Sequence, residues 1–126
     1  MRKIDLDQVF KDGRKILNSN LNTEWISFIF EDIEVDKVYA LDPYARDNYT
    51  LQNIALRTDV DTVTVELAIN GTKVSTVDEL IADATIEDFE MLSDNNVVPG
   101  DLVTLTITAI TDNATALYAN LLIKRV

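Results

Sequence analysis

Two segments near the C-terminus alternate apolar and polar side chains with a period of two. From Val103 to Ala109, every odd position is apolar and every even position is threonine. From Leu117 to Ile123, the odd positions are again apolar. A period of two is that of a β-strand with one buried face. These segments therefore predict antiparallel sheets that pack on a core.

Two turn signals support the same prediction. Asn70-Gly71 separates Val63–Ile69 from residues 72–76, and Asn-Gly is typical of a type I′ hairpin turn with positive φ at both positions. Val98-Pro-Gly-Asp101 places proline and glycine where a type II turn needs them. A hairpin and a strand directly after residue 101 are expected.

The rest of the chain predicts short strands with little helix. Further strands are expected at residues 25–30, 35–41, 50–57 and 85–91, and one helical turn at Val77 to Ile81. About eight strands joined by turns indicate an all-β fold. The expected architecture is an antiparallel β-sandwich of jelly-roll or immunoglobulin-like type.

The N-terminus differs from this pattern. Residues 4–17 place apolar side chains near one helical stripe and predict a short helix, although Gly13 weakens it. Ile4 to Val9 also alternates briefly, as a strand does. A polar stretch follows at residues 18–22. The predicted organisation is an N-terminal arm, residues 1–20, and a β-sandwich domain, residues 21–126.

Composition limits the function. A chain of 126 residues suits a single domain. It has neither cysteine nor histidine, which excludes a disulfide framework, a thiolate zinc site and the most common general base. No apolar segment resembles a secretory signal or a membrane span, so we expect synthesis in a cytoplasm and no membrane partner.

Charge is unevenly distributed. Residues 1–20 carry five basic and three acidic side chains, a net +2, whereas residues 21–126 carry a net −13. Because a domain with this negative charge repels the phosphate backbone of nucleic acids, we expect no nucleic-acid partner. Its acidity is interpreted as a means of staying soluble at high local concentration.

Residues suited to catalysis or metal binding are not arranged for either. Five aspartates at turns could ligate calcium, but none forms a calcium-loop motif, and turn aspartates usually bond their own backbone. These are Asp59, Asp61, Asp94, Asp101 and Asp112. Glu87 is expected to face away from Asp88 and Glu90, which argues against a paired-carboxylate hydrolase. No serine has a histidine to activate it. We therefore predict no enzyme, no cofactor and no metal.

Aromatic residues mark a candidate ligand surface. Tyr44 and Tyr49 flank Arg46 in a loop, and together they could form a platform for a sugar or a protein. The alternative is that Tyr39 packs in the core while the other tyrosines seal a sandwich edge or a subunit boundary. The strand around Trp25 and Phe30 is apolar on both faces, which indicates core packing on one side and subunit packing on the other.

Several of these segments carry a resemblance. The strand opening at Tyr49-Thr50, the hairpin Thr62–Gly71, the turn Val97–Asp101 before Leu102–Thr108, and Leu121-Leu-Ile-Lys124 resemble small β-sandwich domains of tailed-bacteriophage virion proteins. Such domains serve as capsid decoration proteins, head fibres or tail fibres, commonly as homotrimers. The chain departs from this pattern at Val77 to Ser93, which is unusually acidic.

The resemblance implies a structural protein of the virion, assembled in the host cytoplasm and bound to the major capsid protein or another virion protein. It also gives the arm a role in docking or oligomerisation, through apolar contacts and basic charges. The residues expected to do so are Arg2, Lys3, Leu6, Val9, Phe10, Lys11, Arg14, Ile16 and Leu17. The alternatives are that the arm packs across its own sandwich, and that the chain is an adhesion module of a fibre that binds a host-surface glycan.

Overall fold

Eleven β-strands build the structure, a computed structural model that describes residues 22–126. In chain order they are β1 (Thr23–Glu31), β2 (Val38–Asp42), β3 (Tyr49–Thr58), β4 (Val63–Ile69), β5 (Thr72–Lys73), β6 (Ser75–Thr76), β7 (Leu80–Ala82), β8 (Glu87–Ser93), β9 (Asn96–Val97), β10 (Val103–Ile110) and β11 (Ala116–Arg125).

The strands form two antiparallel sheets. The first has six strands in the order β1-β11-β3-β8-β6, with β9 also paired to β3. The second has five strands in the order β2-β10-β4-β5, with β7 also paired to β4. The edge strand β1 therefore belongs to the first sheet and the edge strand β2 to the second. The all-β, two-sheet sandwich that the alternation predicts is confirmed.

The core lies between the sheets and follows the period-two pattern. In β10, Val103, Leu105 and Ile107 are fully buried, and the intervening threonines are not. In β11 the buried positions are Leu117, Ala119, Leu121 and Ile123. Each fully buried aliphatic side chain of this size contributes about 1.5–3 kcal/mol relative to an exposed one.

The two predicted turns form as expected and are tied to each other. Asn70 and Gly71 have φ of 53° and 84°, as a type I′ hairpin requires, and Gly100 has φ of 95°. The Asn70 side chain donates to Asp101 Oδ1 at 2.7 Å and accepts from the Leu102 amide at 2.9 Å. One side chain thus links the hairpin to the Pro-Gly turn.

Aspartates hold many of the remaining turns. Besides Asn70, the non-glycine residues with positive φ in residues 22–126 are all aspartates: Asp32, Asp36, Asp61, Asp94 and Asp112. Asp tolerates this left-handed conformation better than most residues because its short side chain bonds the nearby backbone. Part of the chain's acidity therefore serves its turns.

Several sequence predictions differ from the structure. Residues 22–126 form eleven strands rather than about eight. The segment after Gly71 breaks at the buried Val74 into β5 and β6, which lie in different sheets, and the short strands β7 and β9 were not predicted. The helical turn at residues 77–81 is wrong, since Leu80 and Ala82 are buried by pairing of β7 with β4. The predicted N-terminal helix lies outside the described residues.

Candidate functional site

A loop between β2 and β3 carries two of the three residues of the predicted ligand surface. Ala45, at the centre of this loop, is fully buried. Its amide donates to the Asp101 carbonyl at 2.9 Å, and its carbonyl accepts from the Gly100 amide at 2.8 Å. The loop is therefore held on the Pro-Gly turn, and Tyr44, on one side of Ala45, is left 69% exposed.

A cavity of about 300 Å³ lies beside this loop, between the edge strands β1 and β2. Its floor is apolar and its rim is polar. The floor consists of Ile26, Phe28, Leu41, Val103, Leu121 and Ile123, and the rim of Asp42, Tyr44, Arg46, Asp47, Tyr49 and Arg125. This volume is at the lower end of the range for ligand sites in proteins. The structure thus brings Tyr44, Arg46 and Tyr49 to one cavity.

Tyr49 is not exposed, although a platform for a ligand would require it to be. Its side chain is buried, and its hydroxyl donates to Asp42 Oδ2 at 2.6 Å. Burial, and then the bond to Asp42, raise the pKa of Tyr49 above its usual range. The two tyrosines therefore do not form an exposed platform together, because Tyr44 is exposed and Tyr49 is not.

The two arginines at the rim differ in their partners. Arg125 donates to Glu24 Oε1 at 2.8 Å and to Asp47 Oδ2 at 3.3 Å, and the bond to Glu24 raises the pKa of Arg125. Arg46 forms no ion pair or hydrogen bond with any residue of the described range. The rim therefore offers one uncommitted guanidinium above an apolar floor, which suits binding.

A second surface lies on the outer face of the first sheet. Trp25 and Ile29 of β1 point outward and are 53% and 65% exposed. On the neighbouring strand β11, Leu122 lies directly opposite Trp25, and Tyr118 lies opposite Ile29. Between the two pairs, Ser27 donates to the Asn120 side chain at 2.7 Å. We call Trp25, Ile29, Tyr118 and Leu122 the outer patch.

The outer patch continues toward β3 and the segment before β8. The Arg57 guanidinium stacks over the Tyr118 ring at 5.0 Å from its centroid. Ile86, which is exposed, lines a shallow depression together with Tyr118, Arg57 and Ala55. Exposed apolar side chains that are contiguous in this way are typical of protein interaction surfaces.

The strand that carries Trp25 and Ile29 lies at the edge of the first sheet. β1 pairs with β11 over nine consecutive residues without a register shift, and no strand within residues 22–126 pairs with its other edge. Natural proteins protect such edges with lysine, proline or a bulge. β1 contains no lysine or proline, and its charged residues are Glu24 and Glu31 near its ends. It is therefore suited to pairing with another chain.

Three of the five turn aspartates singled out from the sequence accept hydrogen bonds from the backbone. Asp59 accepts from the Thr115 hydroxyl at 2.7 Å and from the Ala116 amide at 3.1 Å. Asp61 accepts from the Asn113 amide at 3.0 Å, and Asp101 from the Val98 amide at 2.9 Å. Within residues 22–126, no group of three or more acidic side chains could hold a metal ion. These aspartates bond backbone, as their turn positions predict.

The docking residues predicted in the arm lie outside the described residues: Arg2, Lys3, Leu6, Val9, Phe10, Lys11, Arg14, Ile16 and Leu17. Tyr118 and Leu122 were not among the surface residues predicted from the sequence. A signal existed for Leu122, because Leu121-Leu122-Ile123 is a run of apolar residues within an alternating strand. In residues 22–126 no helix is both long and apolar enough to span a membrane.

No protein-family model matches the chain, and no curated protein matches it. Several solved structures are similar to the chain, and two of them illustrate the likeness. One is from the acidic stable capsid structure of the Helicobacter pylori bacteriophage KHP30, with a TM-score of 0.49, 13% identity, and coverage of 81% of this chain and 86% of that chain. The other is from the Bacillus endospore appendages, a family of disulfide-linked pili, with a TM-score of 0.40, 16% identity, and coverage of 82% and 87%. Neither likeness assigns a function to this chain.

Proposed function

We propose that this chain is a structural assembly protein, a β-sandwich subunit that associates with copies of itself through the outer patch of β1 and β11. The observation that supports this is the exposure of Trp25 and Ile29 on an edge strand whose opposite face already packs on the core. A strand of a free-standing sandwich needs only one apolar face. The second apolar face of β1 is explained if another subunit covers it.

The place of this assembly, in our proposal, is the surface of a tailed-phage particle. The sequence resemblance to virion β-sandwiches supports it, and homotrimers are common in that group. The arm of residues 1–20, with its net +2 charge, would attach the acidic domain to the particle or to a neighbouring subunit. The chain is then a decoration or fibre subunit that acts through its surfaces.

The chemistry of the cavity supports a binding role over a catalytic one. The sequence has no histidine or cysteine, and the one buried phenol at the cavity, Tyr49, is held protonated and bonded to Asp42. The remaining rim groups are two carboxylates, Tyr44 and two guanidiniums, of which Arg125 is already paired. This arrangement can hold a partner and has no activated nucleophile.

Light scattering tests the self-association. We expect the full chain to have a mass of three times the 14.2 kDa of one chain. The double variant Trp25→Glu/Ile29→Lys should be monomeric, because it places charges in the buried centre of the interface. The matched control is Val38→Glu, which changes an exposed apolar residue on the other edge strand, β2, and should leave the mass unchanged. A monomeric full chain contradicts the proposal.

A second candidate function is glycan binding at the cavity. The exposed ring of Tyr44 favours it, and so does the guanidinium of Arg46, which has no ion-pair partner among residues 22–126, since sugars stack on aromatic rings and bond charged groups. The test is a titration of host-surface glycans by calorimetry, with Tyr44→Ala as the variant. Binding that Tyr44→Ala abolishes supports this candidate, and no measurable heat with any glycan argues against it.

A further inference from the structure

Asn70 is the first central residue of the turn between β4 and β5, and Gly71 follows it. An asparagine before glycine is especially prone to react with its own main chain, because glycine has no side chain to hinder the approach of its amide nitrogen. Of the asparagines in the chain, only Asn70 precedes a glycine. Both turn residues are exposed, so water reaches them. The hairpin therefore contains a candidate site of spontaneous deamidation.

The reaction is a cyclisation followed by hydrolysis. The Gly71 amide nitrogen forms a bond to Cγ of Asn70, and the bond from Cγ to Nδ2 breaks. The amide proton of Gly71 and the amino group of the side chain leave together as ammonia. Water then opens the resulting succinimide ring at either of its two carbonyls, which gives aspartate or isoaspartate. Water is the only co-reactant, and the product carries one more negative charge.

Hydrogen bonds hold both polar atoms of the Asn70 amide in the native structure. Nδ2 donates to Asp101 Oδ1 at 2.7 Å, and Oδ1 accepts from the Leu102 amide at 2.9 Å. Asp101 is itself fixed, because its Oδ2 accepts from the Val98 amide at 2.9 Å. Ring closure moves Cγ onto the Gly71 nitrogen and carries both polar atoms with it, so these bonds must break first. The native chain therefore reacts only when the hairpin opens from the Pro-Gly turn.

The product cannot restore this link. Aspartate at position 70 has no N–H to donate to Asp101 Oδ1. The bond from the Val98 amide, and then that from Asn70, lower the pKa of Asp101, so its carboxylate is charged at neutral pH and repels a second one. Isoaspartate also lengthens a two-residue turn that fits the pairing of Ile69 with Thr72. Deamidation therefore detaches the hairpin from the Pro-Gly turn.

The Pro-Gly turn connects this change to the candidate site. The Ala45 amide donates to the Asp101 carbonyl at 2.9 Å, and the Gly100 amide donates to the Ala45 carbonyl at 2.8 Å. The Tyr44 hydroxyl lies 3.9 Å from the position that a Cβ at Gly100 would take. Asp101 thus contacts Asn70 through its side chain and the loop between β2 and β3 through its carbonyl. Loss of the first contact should loosen the second.

We propose that Asn70 is a deamidation site under the control of Asp101, and that its reaction loosens the loop that carries Tyr44. The intact link slows the reaction in the folded chain. Once the reaction has occurred, the hairpin stays detached, so the change is irreversible. The modification does not depend on the proposed self-association, and both tests below can be made on a monomer or on an oligomer.

The rate of deamidation tests the control by Asp101. The full-length parent is incubated in mildly alkaline buffer with and without urea, and digestion with mass spectrometry follows the aspartate and isoaspartate products at position 70. We expect the reaction in urea to be faster by about tenfold or more, because a hydrogen bond to a charged group no longer has to open. Asp101→Ala in buffer should approach the rate in urea. Equal rates for the parent in buffer and in urea would overturn the proposal.

A matched control separates this link from general stability. Asp59→Ala removes a carboxylate that bonds the backbone at a different turn, and it should leave the rate at Asn70 unchanged. If Asp101→Ala does not fold, Asp101→Asn replaces it, because it keeps the size of the side chain and removes the charge. Acceleration by Asp59→Ala equal to that by the Asp101 variant would show that overall stability sets the rate, which would also overturn the proposal.

Hydrogen exchange tests the effect on the loop. Asn70→Asp in the full-length chain imitates the aspartate product, and the Ala45 amide should exchange faster by about tenfold. The Thr58 amide, which donates to the Asp83 carbonyl at 2.7 Å, should keep its rate. Thr72→Asp adds the same charge at an exposed position of β5 and leaves the link intact. Equal exchange of Ala45 in the two variants would contradict the proposed effect.

Discussion

Trp25 and Leu122 lie directly opposite each other on the outer face of the first sheet, one on the edge strand β1 and one on β11. Both are apolar at positions that a sandwich exposes. The next outward pair along the same strands, Ser27 and Asn120, is polar, and the pair after it, Ile29 and Tyr118, is apolar again. The outer patch thus consists of two apolar pairs, and the hydrogen-bonded pair Ser27 and Asn120 lies between them.

Because the outer patch faces solvent and the opposite face of β1 packs on the core, substitutions on the two faces should affect association and subunit stability separately. In dilute solution, where the chain is monomeric, we expect Trp25→Ser to change the free energy of unfolding by less than about 0.5 kcal/mol, because Trp25 is exposed. Phe30→Ala, on the buried face of the same strand, should cost about 3–5 kcal/mol. Urea denaturation followed by circular dichroism measures both. A large loss for Trp25→Ser would mean that Trp25 belongs to the core.

Tyr39 gives a prediction about a buried hydroxyl. Its ring packs on Phe30, with centroids 4.4 Å apart, and its buried Oη has no hydrogen-bond partner in residues 22–126. Leaving a buried polar group unbonded costs about 1–3 kcal/mol. We therefore expect Tyr39→Phe to be neutral or to stabilise the fold by about 1 kcal/mol.

Tyr49 is the matched control for Tyr39, since its hydroxyl donates to Asp42 at 2.6 Å. Tyr49→Phe leaves the Asp42 carboxylate without this bond and should destabilise the fold by about 1–3 kcal/mol. Thermal and urea unfolding of the two variants at pH 7 give the comparison. Destabilisation by Tyr39→Phe equal to that of Tyr49→Phe would show that the Tyr39 hydroxyl has a partner.

Asp59 links stability to low pH. The bond from the Thr115 hydroxyl, and then that from the Ala116 amide, hold the pKa of Asp59 well below its usual range. A depressed pKa means that ionised Asp59 stabilises the fold above the pKa of the unfolded chain. That contribution is lost as the pH falls through the native pKa. Asp59→Ala should therefore lower the melting temperature at pH 7 and have a smaller effect toward strongly acidic pH.

The control for Asp59 is Asp78→Ala. The Asp78 carboxylate accepts no hydrogen bond from any residue that the structure describes, although the Asp78 carbonyl accepts from Thr76. Melting curves of the two variants and the parent between about pH 2 and pH 7 show whether the loss of stability depends on pH for Asp59→Ala and not for Asp78→Ala. If the effect of Asp59→Ala on the melting temperature does not change with pH, the Asp59 side chain contributes to stability independently of its ionisation.

For Glu87 we expect stability to depend on pH in the opposite sense. A hydrogen bond with the Asp83 carboxyl, together with the like charge of Asp83, raises the pKa of Glu87. For an acid with a raised native pKa, the unfolded chain ionises first, so stability falls as the pH rises from the unfolded pKa through the native one. Glu87→Gln should therefore raise the melting temperature at pH 7.

This gain from Glu87→Gln should disappear at a pH where both carboxyls are protonated in the parent. Glu90→Gln, which removes a charge from the opposite face of β8, is the control for the change in net charge. Calorimetric melting at pH 3 and pH 7 measures both variants. Equal gains for Glu87→Gln and Glu90→Gln at pH 7 would show that total charge, and not the Asp83 contact, sets the effect.

The fold was largely readable from local signals. Alternation located β10 and β11, and the Asn70-Gly71 and Pro-Gly turns formed with the φ angles that those residues favour. What local signals could not show was pairing at a distance. The strand after Gly71 divides between two sheets, and Leu80 and Ala82 extend along β4 where their local sequence favours a helical turn. Tertiary pairing overrides local propensity in both places.

The candidate site was readable in part. Tyr44 and Arg46 could be assigned to one surface from the sequence, because both lie in the loop between β2 and β3. The floor of the cavity joins Ile26, Leu41 and Ile123, which the sheet topology brings together from distant parts of the chain. Tyr49 is buried and its hydroxyl donates a hydrogen bond to Asp42. Composition does not indicate that these two side chains are in contact. The apolar residues on both faces of β1 were visible in sequence, and the structure shows which of them face outward.

The fluorescence of Trp25 reports whether subunits associate through the outer patch, because Trp25 is the chain's one tryptophan and lies in that patch. Emission wavelength and acrylamide quenching are measured over a concentration series, together with mass by light scattering. We expect the emission of Trp25 to move to shorter wavelength, and its quenching to decrease, as the oligomer forms. An oligomer in which Trp25 stays as exposed as in the monomer would contradict this expectation, and so would a chain that stays monomeric at every concentration.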